Sequence, residues 1–182
     1  NKPNIKSRTI FINTIIGTTI PAGSNLSNAR FSGSRFKNGG NIAFSISSPI
    51  NFHISKFVFN LVPELGISSL SAADGFDYVK PYYLYNLIAF FRSDITKSIG
   101  IGLGPAISYA SSGVYGESNS GIALSLFVDV LYKFSYKKYN MAIGIRAQEM
   151  PIGVLDPPID GGGSGEIAGI YFNLNMPITI RY

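Results

Sequence analysis

Long stretches of this chain alternate apolar residues with small or polar ones. The clearest stretch runs from Gly121 to Phe134, where every second residue is apolar and most of the residues between them are small or polar. Successive side chains of a β-strand point to opposite faces, so this period of two predicts a strand with one apolar face. The apolar set is Ile122, Leu124, Leu126, Val128, Val130, Tyr132 and Phe134.

The same alternation recurs along the chain and predicts eight strands. Their lengths resemble the roughly 9–11 residues of a tilted membrane strand more than the 5–6 residues typical of soluble sheets. The orientation of the fourth strand stays open because both of its faces are apolar. The predicted strands are 9–20, 40–47, 56–68, 82–92, 99–110, 121–134, 140–148 and 167–182.

The connections between the predicted strands alternate long and short. Long links therefore gather at one end of the sheet and short ones at the other, as in bacterial outer-membrane barrels, whose short turns face the periplasm. No segment is left to cover the apolar face, so we expect the sheet to close on itself with that face toward lipid. The long links are 21–39, 69–81, 111–120 and 149–166, and the short links are 48–55, 93–98 and 135–139.

Composition supports a membrane barrel rather than a soluble fold. Charged residues make up 14% of the 182 residues, against about 25% in ordinary soluble proteins. No run of about 18 apolar residues predicts a membrane helix, and the absence of cysteine excludes thiolate metal sites and disulfides. The net charge of +5 is dispersed, so we expect no nucleic-acid partner. We expect residues 1–182 to form one domain, with any signal peptide already removed.

The last predicted strand carries the most specific resemblance. It ends on Tyr182 and has apolar residues at alternate positions upstream. From Thr9 to Tyr182, the chain resembles the small eight-stranded outer-membrane β-barrel proteins of Gram-negative bacteria, the OmpA/OmpX-like group. The resemblance implies an all-β, antiparallel, up-and-down transmembrane barrel in the outer membrane. It also implies that this strand is the signal read by the barrel-insertion machinery, and it brings no catalytic motif.

Charged residues on the inward parity predict ion pairs inside the barrel. An eight-stranded barrel is just wide enough to be filled by side chains, and a buried charge needs a partner. We expect a network around Glu64, Asp129 and Arg146 that plugs and stiffens the barrel, with a narrow conduction path as the alternative. The predicted members are Lys56, Glu64, Asp129, Lys133 and Arg146, and Arg92 and Arg181 also have the inward parity.

Small residues and prolines mark special positions in the strands. Gly100, Gly102 and Gly104 predict an inward column of small residues where the lumen is crowded. Three prolines would each delete a ladder hydrogen bond, so each should lie at a bulge, a rim or a rerouted backbone: Pro63, Pro105 and Pro177. A slip in the alternation near Ser55 predicts a turn or bulge there.

Aromatic residues cluster near both predicted rims. Such residues at the two ends of an apolar band indicate membrane-interface girdles, although core packing in a soluble fold is the competing interpretation. The predicted girdle residues are Tyr82, Tyr83 and Tyr85 at the long-loop rim, and Phe134, Tyr139 and Tyr182 at the short-turn rim.

No residue constellation predicts catalysis. The single histidine, His53, lies by a short link, and one histidine with dispersed carboxylates is not a metal-ligand cluster. We therefore expect no enzyme activity, no metal and no cofactor. The predicted function is that of a structural or accessory outer-membrane subunit that contacts lipid and presents surface loops to a protein partner. The alternatives are a soluble lipocalin-like barrel with its apolar face inside, binding a small apolar ligand, and a barrel lipase that uses His53.

Overall fold

The structure is a computed structural model that describes residues 7–22, 30–31, 34–47, 50–72, 81–114, 117–137, 139–151 and 164–181. The described part of the chain is all-β. Its strands are β1 (Ser7–Ala22), β2 (Arg30–Phe31), β3 (Ser34–Lys37), β4 (Gly39–Ile46), β5 (Asn51–Ile54), β6 (Phe57–Ala72), β7 (Tyr82–Asp94), β8 (Ile99–Val114), β9 (Glu117–Tyr136), β10 (Tyr139–Pro151) and β11 (Ser164–Arg181). Among these residues, no helix is long and apolar enough to cross a membrane.

Eight long strands of the described chain pair in a closed antiparallel ring. The ring runs β1, β4, β6, β7, β8, β9, β10 and β11, and β11 pairs back onto β1 from Ser7↔Arg181 to Ala22↔Glu166. The short strands β3 and β5 pair with opposite ends of β6, and β2 pairs with β3. The predicted eight-stranded antiparallel barrel is confirmed.

Burial alternates along the barrel strands and settles which face is outside. On β9, Ile122 and Leu124 are 68% and 78% exposed, whereas Ala123 and Phe127 are buried. The same alternation of burial gives the orientation of β7, where Leu84 and Phe90 face the lumen and Leu87 faces outward. The apolar parity therefore points out of the barrel, the reverse of what a lipocalin-like barrel requires.

Each of the three prolines lies where strand pairing is interrupted or ends. Pro63 falls between the last β4–β6 pair, Ser45↔Glu64, and the first β5–β6 pair, Asn51↔Asn60. The β7–β8 ladder breaks opposite Pro105, between Ile88↔Ala106 and Phe91↔Leu103. Pro177 lies beyond the last β10–β11 pair, Asn140↔Asn175, at the short-turn rim. The missing N–H of proline is tolerated at such positions, as the sequence predicted.

The turn predicted near Ser55 is present, but the link around it differs from the prediction. Residues 51–54 form β5, which makes a tight hairpin with β6, and Ser55 has a positive φ of 55°. The predicted third strand therefore begins at Phe57 rather than at Lys56, which lies in the turn. The slip in alternation that predicted a bulge comes from this additional hairpin.

Candidate functional site

An apolar belt surrounds the barrel. The outward side chains of the middle of each strand are large, apolar and exposed, for example Ile16 on β1, Leu65 on β6, Leu103 on β8 and Ile143 on β10. On β9 the belt extends from Ile122 to Tyr132. Ten residues at about 3.3 Å each, tilted by about 40°, give a height of about 25 Å, which is that of the apolar band of membrane barrels.

Exposed aromatic side chains lie at both edges of this belt. Tyr83 and Tyr85 point outward near the long-loop end, where the Tyr85 and Tyr109 rings lie 6.0 Å apart between centroids. Phe134 and Tyr139 point outward near the short-turn end. These four positions fit the interface girdles of a membrane barrel.

Two predicted girdle residues do not follow this pattern. Tyr82 is only 2% exposed and faces the lumen, where its ring packs edge-on against Phe36 with 5.7 Å between centroids. The prediction for Tyr82 is wrong because adjacent residues of a strand cannot both face lipid, and Tyr83 takes the outward side. Tyr182 lies outside the described residues.

The strand register brings charged side chains together in the middle of the lumen. Arg92, Gly102, Asp129 and Arg146 lie in one row across β7, β8, β9 and β10, each directly opposite the next. Glu64 reaches the same place from β6. Residues as far apart in sequence as Glu64 and Arg146 therefore meet because the sheet closes.

Two carboxylates and two guanidiniums form a neutral cluster, which we call the lumen network: Glu64, Arg92, Asp129 and Arg146. Arg146 Nη1 donates to Glu64 Oε1 at 2.5 Å, and Arg146 Nη2 donates to Glu64 Oε2 at 3.2 Å and to Asp129 Oδ2 at 3.3 Å. Arg92 Nη2 donates to Asp129 Oδ2 at 2.7 Å and to Glu64 Oε2 at 3.3 Å. The bidentate contact of Arg146 with Glu64 is the strong form of a charge-assisted pair.

Aromatic rings enclose the lumen network. The Phe90 ring contacts both guanidiniums, with its centroid 4.5 Å from Arg92 Cζ and 4.8 Å from Arg146 Cζ. The Tyr171 ring centroid lies 4.9 Å from Arg146 Cζ, and the Tyr171 hydroxyl donates a hydrogen bond to Asp129 Oδ2 at 3.3 Å. The rings cover much of the network, and their faces attract the cations.

Glycines leave the space that this packing needs. A Cβ at Gly102 would lie 2.3 Å from Asp129 Oδ1, and one at Gly144 would lie 2.6 Å from Tyr171 Cζ. At Gly104 it would lie 2.7 Å from Ile88 Cγ2. The column of small residues on β8 is therefore inward and crowded, as predicted.

A second, uncharged layer lies on the long-loop side of the lumen network. Ser108 Oγ lies 2.6 Å from Asn86 Oδ1 and 2.8 Å from Ser125 Oγ. Gln148 Nε2 donates to Asn86 Oδ1 at 3.2 Å and approaches both hydroxyls. All four residues are buried, so uncharged side chains fill this part of the lumen beside the network.

The structure brings together some of the predicted lumen residues and separates others. Glu64, Asp129 and Arg146 meet in the lumen network, whereas Lys133 forms an ion pair with Asp94 near the short-turn end. Lys56 is exposed in the turn after β5 and lies 5.8 Å from the centroid of the Phe57 ring. Lys56 does not join the network because it lies in the turn between β5 and β6, and not on the inner face of a strand.

Several residues that fill the lumen were not among the predicted network members. Arg92 had the inward parity and is a full member of the network, but Tyr171 and the layer around Gln148 received no role. The inward parity of each strand was the available signal, since Tyr171 lies between Gly169 and Asn173 on the inner face of β11. The side chain of Arg181 lies outside the described residues.

Two cavities flank the lumen network. A cavity of about 890 Å³ opens at the short-turn end and reaches Arg92. A cavity of about 20 Å³, enough for roughly one water, lies on the other side against Arg146 and Gln148. The network therefore separates the two ends of the lumen.

The described residues include no group of three or more histidine, cysteine or carboxylate side chains that could hold a metal ion. His53 lies in β5 at the short-turn end, exposed and opposite Val58.

Neither a protein-family model nor a curated protein sequence matches this chain. Among solved structures, a crystal structure of the outer membrane protein OprG from Pseudomonas aeruginosa is similar, with a TM-score of 0.40 and 12% sequence identity, over 92% of this chain and 95% of that chain. The pairing of β1 with β11 establishes the closed barrel independently of that likeness. The architecture agrees with the resemblance to small eight-stranded outer-membrane barrels.

Proposed function

We propose that this protein is a non-enzymatic β-barrel of the outer membrane of a Gram-negative bacterium, where it acts as a structural or accessory subunit. In this proposal the long connections face the cell exterior and contact a protein partner, and the short turns face the periplasm. The observation that carries the proposal is an apolar outer belt around a lumen that the buried network divides.

The divided lumen supports a structural role over a transport role. Water-filled pores need a continuous polar path, and Glu64 and Asp129, each 1% exposed, lie in the middle of the filled section. The surfaces left to act on other molecules are the lipid-facing belt and the two ends. The long connections contain more residues than the short turns, so we place the protein contact at their end.

Extraction tests the membrane assignment. We expect the protein to stay in the membrane fraction through salt and alkaline washing and to be released by detergent. A folded barrel should also migrate differently on a gel before and after heating. Release by alkaline washing alone would contradict the proposal.

A charge placed on the outer belt tests the same assignment at one residue. Leu126→Arg puts a cation near the middle of the belt and should destabilise the barrel in lipid vesicles by about 2–4 kcal/mol. The matched variant Tyr136→Arg carries the same charge at the short-turn rim and should cost about 0–1 kcal/mol. Equal losses in urea unfolding would show that the belt does not lie in hydrocarbon.

The accessory role is tested by partner capture with a loop variant. Purification in mild detergent should recover a partner in fixed proportion to the barrel. Replacing residues 152–163 with a short glycine–serine link should remove that partner while heat-modifiable migration is kept. If replacement of each long connection in turn leaves the same partner bound, the contact is elsewhere and the proposal fails.

Non-enzymatic function predicts that the purified barrel does not hydrolyse phospholipid or lipid A. Hydrolysis that disappears in His53→Ala would support the barrel lipase instead.

A further inference from the structure

The inner face of the barrel opens at the short-turn end into the cavity of about 890 Å³, which we call the short-turn cavity. Its volume falls in the range of about 300–1,000 Å³ that is typical of small-ligand sites. Arg92 of the lumen network lies at its floor, and its mouth lies beside Lys56, Lys97 and Ser135. The cavity is therefore bounded on its inner side by the lumen network and opens toward the short turns.

The wall of the short-turn cavity is rich in neutral hydrogen-bonding groups. Carboxamides come from β1, β6, β10 and β11, and hydroxyls come from the ends and turns of neighbouring strands. Amides and hydroxyls on several strands can bind several hydroxyl or amine groups of one ligand at once. The wall includes Asn13, Asn60, Asn140, Asn173, Asn175 and Ser135.

Two of these carboxamides have unmet hydrogen-bonding capacity. The Oδ1 atoms of Asn173 and Asn175 are buried and have no hydrogen-bond partner among the described residues. Asn173 is only 7% exposed, and both side chains line the cavity. Buried acceptors are normally paired, and either amide can gain a donor by turning toward the cavity.

The ionic side chains around the short-turn cavity are mostly cations. Asp94 is the one carboxylate among its lining residues, and Lys133 already pairs with it. Arg92 is engaged with Glu64 and Asp129. Lys56 and Lys97 then leave an excess of positive charge at the mouth. Such an excess raises the local concentration of anions.

We propose that the short-turn cavity binds a small polar anion, a carboxylate or phosphate carried on a scaffold with hydroxyl groups. Lys56 and Lys97 hold the charged group at the mouth, and the carboxamides of Asn173 and Asn175 bind the neutral part. The proposal rests on the barrel and its cavity, and it does not depend on a protein partner or on which way the barrel faces.

Citrate is a suitable probe because it carries three carboxylates and a hydroxyl. We expect isothermal titration of the full chain in neutral detergent to show saturable binding of one citrate per barrel at constant ionic strength, and no binding of sucrose. Lys56→Gln combined with Lys97→Gln should weaken citrate binding at least tenfold. The matched variant Lys137→Gln removes a cation at the same rim but outside the cavity wall, so it should bind as the wild type does.

A competition arm distinguishes two sources of the anion. If short-chain phosphatidylglycerol displaces citrate, the cavity takes a lipid headgroup; if it does not, the ligand is a soluble anion. Heat-modifiable migration of every variant shows that it is folded. The proposal is overturned if the folded wild type shows no saturable citrate binding, or if the double variant binds citrate as tightly as Lys137→Gln.

Discussion

Two sets of ion pairs lie on the same inner face of the barrel, one in its middle and one near its short-turn end. In the lumen network the side chains of Glu64 and Asp129 have no exposed surface, and that of Arg146 is 9% exposed. The Lys133 and Asp94 side chains are 40% and 59% exposed. The same strand alternation therefore places similar charge pairs in very different surroundings.

This difference predicts that the two sets contribute differently to stability. Removing one partner of a buried pair leaves a charge without water or a counterion, which is strongly destabilising. An exposed pair exchanges its partner for water and contributes little. Loss of any one charge of the lumen network should therefore destabilise the barrel strongly. Loss of one charge of the Lys133–Asp94 pair should have little effect, because this pair lines the solvent-accessible short-turn cavity.

The largest effect is expected from Arg146→Ala. It leaves Glu64 and Asp129 with one guanidinium between them and should lower the free energy of unfolding by about 3–5 kcal/mol. Urea unfolding in lipid vesicles, followed by heat-modifiable migration, measures the loss. The double variant Glu64→Gln with Arg146→Gln restores neutrality and should lose less than the single variant. A loss below 1 kcal/mol for Arg146→Ala would remove the distinction between the two regions.

A smaller effect is expected from Gly102→Ala. The added Cβ would lie 2.3 Å from Asp129 Oδ1, so the carboxylate or the strand must shift, at a cost of about 1–3 kcal/mol. Gly40→Ala is the matched control, because its Cβ would meet nothing closer than a backbone oxygen 4.0 Å away. Equal unfolding midpoints for the two variants would contradict the crowding around Asp129.

The variant Gln148→Leu tests how much the hydrogen bonds of the uncharged layer contribute to stability, while the charges of the lumen network stay in place. The substitution keeps an inward side chain but removes the amide that donates to Asn86 Oδ1. Because Ser108 still contacts that oxygen, we expect a loss of only about 1 kcal/mol. A loss as large as that of Arg146→Ala in the same unfolding assay would mean that the uncharged layer, and not the lumen network, holds the lumen together.

The smallest effect is expected from Lys133→Met. Its partner Asp94 is more than half exposed, so water replaces the ammonium and the free energy of unfolding should change by about 0–1 kcal/mol. Raising the salt concentration should remove any difference in the free energy of unfolding between the variant and the wild type, because salt screens exposed ion pairs. A salt-independent loss of several kcal/mol would show that this end of the barrel is as dry as the middle.

Much of the fold followed from local patterns in the sequence. The alternation on β9 and β10 predicted which side chains face outward, and the interrupted ladders at Pro63 and Pro105 followed from proline's missing donor. The prediction was weakest where a local pattern is ambiguous. Both faces of β7 are apolar, so alternation alone does not distinguish Tyr82, which faces the lumen, from Tyr83, which faces outward. The strand β5 is only four residues long, which is too short for its pattern to distinguish a strand from a link.

The composition of the lumen network was only partly accessible from sequence. Inward parity indicates that Glu64, Asp129 and Arg146 need partners, but it does not say which charges lie at the same height. That height depends on the stagger between neighbouring strands, which the register fixes across the whole ring. Lys56 and Lys133 shared the parity of the network residues, yet they lie nearer the short-turn end.

The sequence by itself determined a chain of alternating strands with an apolar outer face and a few charges to be enclosed, because side-chain direction in a strand depends only on position along it. The tertiary structure decided which of those charges meet, how far the lumen is filled and where it opens into a cavity. These features depend on closure and on stagger, which bring residues from strands far apart in the chain to one level of the barrel.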